Sequence, residues 1–259
     1  MVALMALENA TVLAGGIPIL DQMSLQVSEG QMVAVIGPNG SGKSTLLKAM
    51  LGLVPLDSGS VTVDGLPLIS MTARQRAASM AWLPQDGMIA ERLRVEDVVA
   101  SSRFRFNESR HACLAQAQLA LEEAGAASLA ARWLNELSGG ERQRVELASM
   151  LAQESRCWLL DEPANHLDPV WRARTLRFLS RRLEQGNTVI VVLHDVHLLG
   201  HIDAAKTRVV GLRQGKIAWQ GHLGDDDLGE GLKQIHGMTF DRAVAGDREY
   251  WIPGEEQIE

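Results

Sequence analysis

Cysteine is scarce in this chain. Only Cys113 and Cys157 occur among its 259 residues, far apart, and Cys157 sits inside an apolar run. Neither keeps metal-ligand spacing, so both read as reduced thiols of a cytosolic protein rather than as parts of a disulfide or metal framework. Aromatic residues make up 4% of the chain and none precedes Trp82. No stretch approaches the roughly 18 uncharged apolar residues that a membrane span needs. The first residues, Met1 to Glu8, lack the basic start and long apolar core of a signal peptide. Basic residues are outnumbered, 25 against 32 acidic, and the net charge of -7 argues against a general nucleic-acid binder. No internal repeat or low-complexity linker interrupts the sequence. These absences predict a soluble intracellular protein of one large domain or two small ones, free to dock onto something in a membrane.

What is present centres on Gly37-Pro38-Asn39-Gly40-Ser41-Gly42-Lys43-Ser44-Thr45. An apolar run, Met32 to Ile36, precedes it and reads as a buried strand. Leu46 to Leu51 follows as a short helical pattern that Gly52 can stop. Strand, glycine-rich loop and helix together turn the string G-x-x-x-x-G-K-[ST] into a phosphate site. The glycines let successive N–H groups point at phosphate oxygens, and the helix N-terminus adds partial positive charge. Lys43 would reach the β- and γ-phosphates and Ser44 would ligate Mg²⁺. A chance glycine-rich turn is the bland alternative, and the filled positions leave it little room. A nucleoside triphosphate is therefore the expected ligand.

Around this loop the pattern predicts an α/β framework. Residues 1 to about 30 suggest short strands, with turns at Gly15-Gly16 and Glu29-Gly30. Val61 to Val63 reads as a strand turning at Asp64-Gly65, Thr72 to Ala78 as a short helix, and Met80 to Leu83 as a strand ending at Pro84-Gln85. From about Asp86 to Gln153 the section reads as all-helical: one helix from Val95, one over Glu108 to Ala124, and one from Glu141. Strands then return at Cys157 to Leu160 and Thr188 to Leu193, flanking a helix from Pro169 to Glu184 that Asp168 begins and Gly186 stops. Two further strands are expected near 208–212 and 216–220. The tail from Leu223 carries Asp225-Asp226-Asp227, a helix, and a hairpin around Ala245-Gly246-Asp247.

Chemistry gathers at the strand ends. Asp161 and Glu162 close a buried strand, where open parallel sheets bind ligands. Asp161 suits a Mg²⁺ shell, and Glu162 can orient a water against the γ-phosphate. An acidic loop at a strand end is the plain alternative, weakened by the complete phosphate loop nearby. Gln85, also at a strand end, could touch both metal and water, although a lone glutamine carries no weight. His194 ends another strand, where a histidine is usually a satisfied loop residue. Ser138-Gly139-Gly140 opens a helix, and an N-cap alone would explain it. It equally offers a second grip on phosphate oxygens, far from the first in sequence. One helix N-terminus already cradles the phosphates, so the spare grip suggests a nucleotide held by another copy.

With these residues in view, nearly the whole chain resembles the ATP-binding cassette of transporters. GPNGSGKST, LPQD, LSGGERQR, WLLDEP, NHLDP and VVLHD occur in family order. The resemblance implies a P-loop NTPase (RecA-like) core with an N-terminal antiparallel β-subdomain and an inserted α-helical subdomain at about 86–155, all within 1–222, and a tail extension over 223–259. It implies a head-to-tail dimer in which Lys43, Ser44, Gln85, Asp161, Glu162 and His194 of one copy face Ser138, Gly139 and Gly140 of the other across ATP. Ser44, Gln85 and Asp161 would hold Mg²⁺, and Glu162, His194, Gln85 and Lys43 would carry catalysis. Asp168 matches the loop communicating between sites, and the Gln85 loop would hinge the helical subdomain.

Leu93 to Ala100 through Arg103 and Phe104, with the ending Trp251-Ile252-Pro253, looks most like importers of iron-siderophore, haem and cobalamin type. That implies ATP hydrolysis energising a membrane permease, with an external solute-binding protein, at the cytoplasmic face of the inner membrane and without direct nucleic-acid contact. The family usually stacks adenine on an aromatic residue before the phosphate loop; here Leu13 or Ala14 takes the place, forfeiting about 0.5–1.5 kcal/mol of stacking. Ala164 to Asp168 also resembles soluble, ribosome-acting relatives, which carry two cassettes where this chain has one. A small-metabolite kinase is the remaining alternative, and it gives the Ser138-Gly139-Gly140 element no place.

Overall fold

The computed structural model describes residues 3–85, 92–165, 167–246 and 248–254. Asp86 to Glu91 at the expected start of the helical section, His166 in the NHLDP string, and Asp247 in the hairpin turn lie outside the described residues.

The central sheet is a near-continuous apolar core because both of its faces are covered. Its strands are β3 (Met32–Ile36), β6 (Met80–Leu83), β7 (Cys157–Asp161), β8 (Thr188–Val192), β9 (Thr207–Arg213) and β10 (Lys216–His222), in the order β10-β9-β3-β8-β7-β6. All are parallel except β10, which returns antiparallel along β9. Alternate residues serve opposite faces. Val33, Val35, Leu159, Ile190, Val192 and Val210 point to one core, whereas Met32, Ala34, Ile36, Trp158, Leu160 and Val191 point to the other. The first core also holds α1 (Lys43–Met50) and an antiparallel sheet. That sheet consists of β1 (Ala3–Ala14), β2 (Ile17–Ser28), β4 (Ser58–Val63) and β5 (Leu66–Pro67), ordered β2-β1-β4-β5. A short helix, α2 (Ala73–Ser79), leads into β6 and starts with a capping box between Thr72 and Gln75.

Strands β1 and β2 are twelve residues each, not the short strands that the weak alternation suggests. Their pairing shifts register at several points, and Asn9 and Gln22 adopt positive φ. Each irregularity resets which face a side chain meets and so erases the period-two signal.

The second core takes α3 (Val95–Ser101), α4 (Arg110–Glu123), α5 (Gly139–Gln153), α6 (Pro169–Glu184) and α7 (Leu228–His236). Helix α4 starts at Arg110 under a Ser109 cap, so Glu108, expected inside it, is left outside the helix. Glu108 instead grips Arg103 with both carboxylate oxygens, at 2.6 and 2.7 Å. Arg103 is only 3% exposed, and its Nη1 also donates to Ala152 O and to Glu154, at 2.9 and 2.8 Å. The Glu108 hydrogen bonds hold this guanidinium firmly protonated. The cluster clamps the end of α3 to the end of α5. Replacing Arg103 by Met should cost about 2–3 kcal/mol, below the full buried-pair penalty because Glu154 is half exposed. Urea unfolding would register this as a lower midpoint at unchanged slope.

Beyond residue 222 the chain does not leave the core. Leu228, Leu232 and Ile235 of α7 are fully buried in the cluster that contains Val209. A final hairpin, β11 (Phe240–Ala245) with β12 (Arg248–Pro253), lays Tyr250 against Gly200, where a Cβ would meet the ring at 2.6 Å.

Candidate functional site

Because β3, β6, β7, β8 and β9 run parallel, the segments that follow them emerge along one edge. The phosphate loop leaves β3 there, Asp161 and Glu162 end β7, Gln85 follows β6 and His194 follows β8. The loop's shape depends on glycine at two positions. Gly37 has φ +148°, and a Cβ on it would lie 2.3 Å from Leu212 O; Gly42 has φ +101°, with Ile19 O at 2.8 Å. Any side chain there is both strained and obstructed. Gly42 stands at the N-cap of α1 without a side-chain cap, which leaves that helix start to other partners.

Lys43 is 6% exposed and folds back over the loop, donating from Nζ to Gly37 O at 2.8 Å and Pro38 O at 3.1 Å. Burial lowers its basicity, opposed by the negative charges of Glu162 and Asp161. Ser44 Oγ donates to Asp161 Oδ1 at 3.1 Å, joining α1 to β7 across β8. Asp161 is 2% exposed, and burial raises its carboxyl above the ordinary value, with the Ser44 hydrogen bond acting against the rise. This hydroxyl and carboxylate are hard oxygen donors on one small site, the donor set that suits Mg²⁺.

Glu162 has φ +53°, a backbone conformation uncommon outside glycine. Its N–H donates to Val192 O at 3.2 Å, holding the turn against β8. Its carboxylate accepts from Gln85 Nε2 at 3.0 Å and from the Asn165 amide, both on Oε2. Asn165 is a site residue to which the sequence reading assigned no role. Its sequence signals are its place at the head of the NHLDP string and three residues after Glu162, and its N–H closes that turn on Glu162 O at 3.1 Å. His194 is exposed just past β8.

The second glycine-rich start behaves differently. Helix α5 begins at Gly139, two residues before the expected start, because Ser138 is its N-cap. Ser138 Oγ accepts the Glu141 N–H at 3.4 Å, while Glu141 accepts from Ser138 N and Oγ, both at 2.9 Å. Those bonds hold the Glu141 carboxyl below its usual range. Ser138 and Gly140 line a cleft with Arg144, Asp168 and Trp171, not with Lys43 or Ser44. Asp168 caps α6 by accepting the Val170 and Trp171 N–H groups at 2.9 Å. The structure thus assembles Lys43, Ser44 and Asp161 in one group and Gln85, Glu162 and Asn165 in another along the same edge. Gly139 lines a cleft with Gln85, Glu162 and Asn165, whereas Ser138, Gly140 and Asp168 line the neighbouring one.

A glycine-rich loop between a buried parallel strand and a helix, facing a carboxylate on a nearby strand, defines a phosphate-loop nucleoside triphosphatase. The family model described as "ABC transporter" matches residues 20–165. The hemin import ATP-binding protein of Pseudomonas putida is 38% identical over 82% of this chain and 84% of its own length. The petrobactin import ATP-binding protein of Bacillus subtilis is 31% identical over 90% of this chain and 92% of its own. Among solved structures, a dimeric ATP-binding cassette in a post-hydrolysis state with ADP and Pi superposes with a TM-score of 0.76 at 27% identity, over 85% of this chain and 99% of that one. The chain belongs to the ABC transporter family, as an ATP-binding cassette ATPase.

Proposed function

We propose that this cassette hydrolyses ATP as one of two copies docked on a membrane permease, and that the permease imports an iron chelate, haem, cobalamin or a related solute. The observation that carries the reading is the division just described. One chain gathers Lys43, Ser44, Gln85, Asp161 and Glu162 on a sheet edge, while Ser138 and Gly140 line a neighbouring cleft that holds neither Lys43 nor Ser44. A second copy turned head to tail brings Ser138, Gly139 and Gly140 over the first copy's nucleotide, and the likeness to a dimeric cassette supports this arrangement.

In this scheme the backbone N–H groups of the loop after Pro38, from Asn39 to Thr45, and the Lys43 amine hold the β- and γ-phosphates. Lys43 trades its two carbonyl partners for phosphate oxygens. Ser44, Asp161 and Gln85 would hold Mg²⁺, which would supply charge neutralisation on the phosphates. Glu162, steadied by Gln85 and Asn165, takes the proton of the attacking water, and His194 contacts the γ-phosphate. Adenine lies on an apolar ledge: Leu13 is 43% and Ile17 67% exposed at the β1–β2 turn. Asp168 holds the N-terminus of α6 beside the Ser138 cleft and couples the two nucleotide sites.

Import of an iron-related solute rests on the relatives named for hemin and petrobactin import. No helix among the described residues is long and apolar enough to cross a membrane, so membrane attachment falls to the permease at its cytoplasmic face. An external binding protein delivers the solute, and no nucleic acid takes part. Deletion of the encoding gene should abolish uptake of haem or of a ferric chelate. The wild-type chain should restore uptake and Glu162→Gln should not. Undiminished uptake of every such solute in the deletion strain refutes the import assignment.

A further inference from the structure

Only His194 and Asp195 separate two buried anchors. Leu193 before them is fully buried, and its N–H donates to Val35 O at 2.9 Å. After them a short helical turn, Val196–His201, puts Val196, Leu198 and Leu199 into the second core. Asp195 stands at the N-cap of that turn, yet its carboxylate makes no cap hydrogen bond. It faces Arg172 instead, with Oδ2 3.7 Å from Nη1, the one ion pair it makes among the described residues. His194 itself is exposed and has no hydrogen-bond partner among them.

Arg172 has a second partner. It lies in the first turn of α6, where its N–H donates to Asp168 O at 2.9 Å and its Nε to Leu167 O at 2.8 Å. Leu167 is 8% exposed and lines both neighbouring clefts, the one with Gln85 and Glu162 and the one with Ser138 and Asp168. A Cβ on Gly140 would lie 3.8 Å from Leu167 Cδ2, so this side chain sits over the start of α5. One guanidinium therefore joins the residue after His194 to the residue packed on the second glycine-rich helix start. A planar fork suits that task, because it holds two acceptors at a fixed angle. The open pair with Asp195 adds little to stability. A weak tie still selects among the few conformations left to two residues between fixed anchors.

We propose that Arg172 is a positioning residue shared by two nucleotide sites. Through Asp195 it sets the direction in which His194 leaves β8, toward the terminal phosphate held by its own chain. Through Leu167 it makes that setting depend on the start of α5, which serves the nucleotide of the second copy. The inference rests on the head-to-tail reading and on the role given to His194 above. Filling one site then alters the readiness of the other through contiguous contacts, from Gly140 to Leu167 to Arg172 to Asp195.

The test is steady-state ATP hydrolysis by the full chain with its permease. Arg172→Ala and Asp195→Asn should each lower kcat about 2- to 5-fold, the range of an exposed ion pair, with KM for ATP unchanged. The double variant should be no slower than R172A alone. Asp195→Glu, whose longer side chain still carries a carboxylate to Arg172, should recover most of the loss seen in D195N. The Hill coefficient for ATP should fall in both single variants. Wild-type kcat in R172A, multiplied losses in the double variant, or no rescue by Glu overturns the tie to His194. A lower kcat at an unchanged Hill coefficient confines Arg172 to its own site and overturns the sharing. A lower urea midpoint with wild-type kcat and Hill coefficient overturns both, by making Arg172 a staple of the helix start. If alanine is not tolerated, Arg172→Gln applies the same criteria. Normal turnover by His194→Ala faults the assignment of His194, and the positioning falls with it. A Hill coefficient of 1 in the wild type faults the head-to-tail reading, and the sharing falls with that.

Discussion

Glu162→Gln should bind ATP at least as tightly as wild type and lose turnover by about 100-fold or more, the contribution expected of a positioned general base. The substitution keeps the shape and an amide oxygen that can still accept from Gln85 and Asn165, so the pivot after β7 stays in place. It removes one negative charge from a site where two carboxylates oppose each other. Glu162 is among the causes that raise the Asp161 carboxyl above its usual value, and its loss makes Asp161 easier to ionise beside Mg²⁺. Repulsion of the triphosphate falls as well. ATP should therefore accumulate, unhydrolysed, in a closed pair of chains. Size-exclusion chromatography with ATP and Mg²⁺ should show a dimer for the variant and mostly monomer for wild type after turnover. Glu162→Ala should also be inactive but less stable, because two amide donors lose their acceptor. Normal hydrolysis by E162Q would remove Glu162 from the proton-transfer role and return that task to another group on the same edge.

Much of the fold and of this candidate site is legible in the sequence because the signals are local. Asp168-Pro169 and Gly186 mark both ends of α6, and the structure has the helix at Pro169–Glu184 under an Asp168 cap. The phosphate loop announced itself through glycines that tolerate no Cβ and the buried run before them. β1 and β2 were harder, since their bulges scramble the alternation that reveals a strand. Glu108 read as helix because the pattern that follows it is helical, and the Ser109 cap, with Glu108 paired to Arg103 five residues earlier, leaves it outside α4. Asn165 shows the same limit at the site. It bonds the Glu162 carboxylate through the turn that the positive φ of Glu162 creates. A spacing of three residues does not by itself announce that turn.

Mixing two inactive proteins should restore activity. Lys43→Ala removes the phosphate-binding amine, and Ser138→Arg fills the cleft where the second helix start would meet phosphate. Each variant alone should hydrolyse ATP at background rate, since every site in its homodimer carries one defect. In a mixed dimer the defects fall together in one site. The other combines an intact Lys43 from one copy with an intact Ser138 from its partner. Random exchange makes half of the dimers mixed, each with one good site of two, so about a quarter of wild-type activity is the ceiling. Neither change should unfold the chain: among the described residues Lys43 hydrogen-bonds to two loop carbonyls, at 2.8 and 3.1 Å, and loss of the Ser138 cap costs about 1 kcal/mol in a helix anchored by nine buried residues. Trapping the mixture in the Glu162→Gln background adds a readout that does not depend on both sites firing. Mixed pairs should retain one ATP where unmixed variants retain none. A site completed within a single chain predicts silence in both assays, because no exchange of partners could then repair either copy.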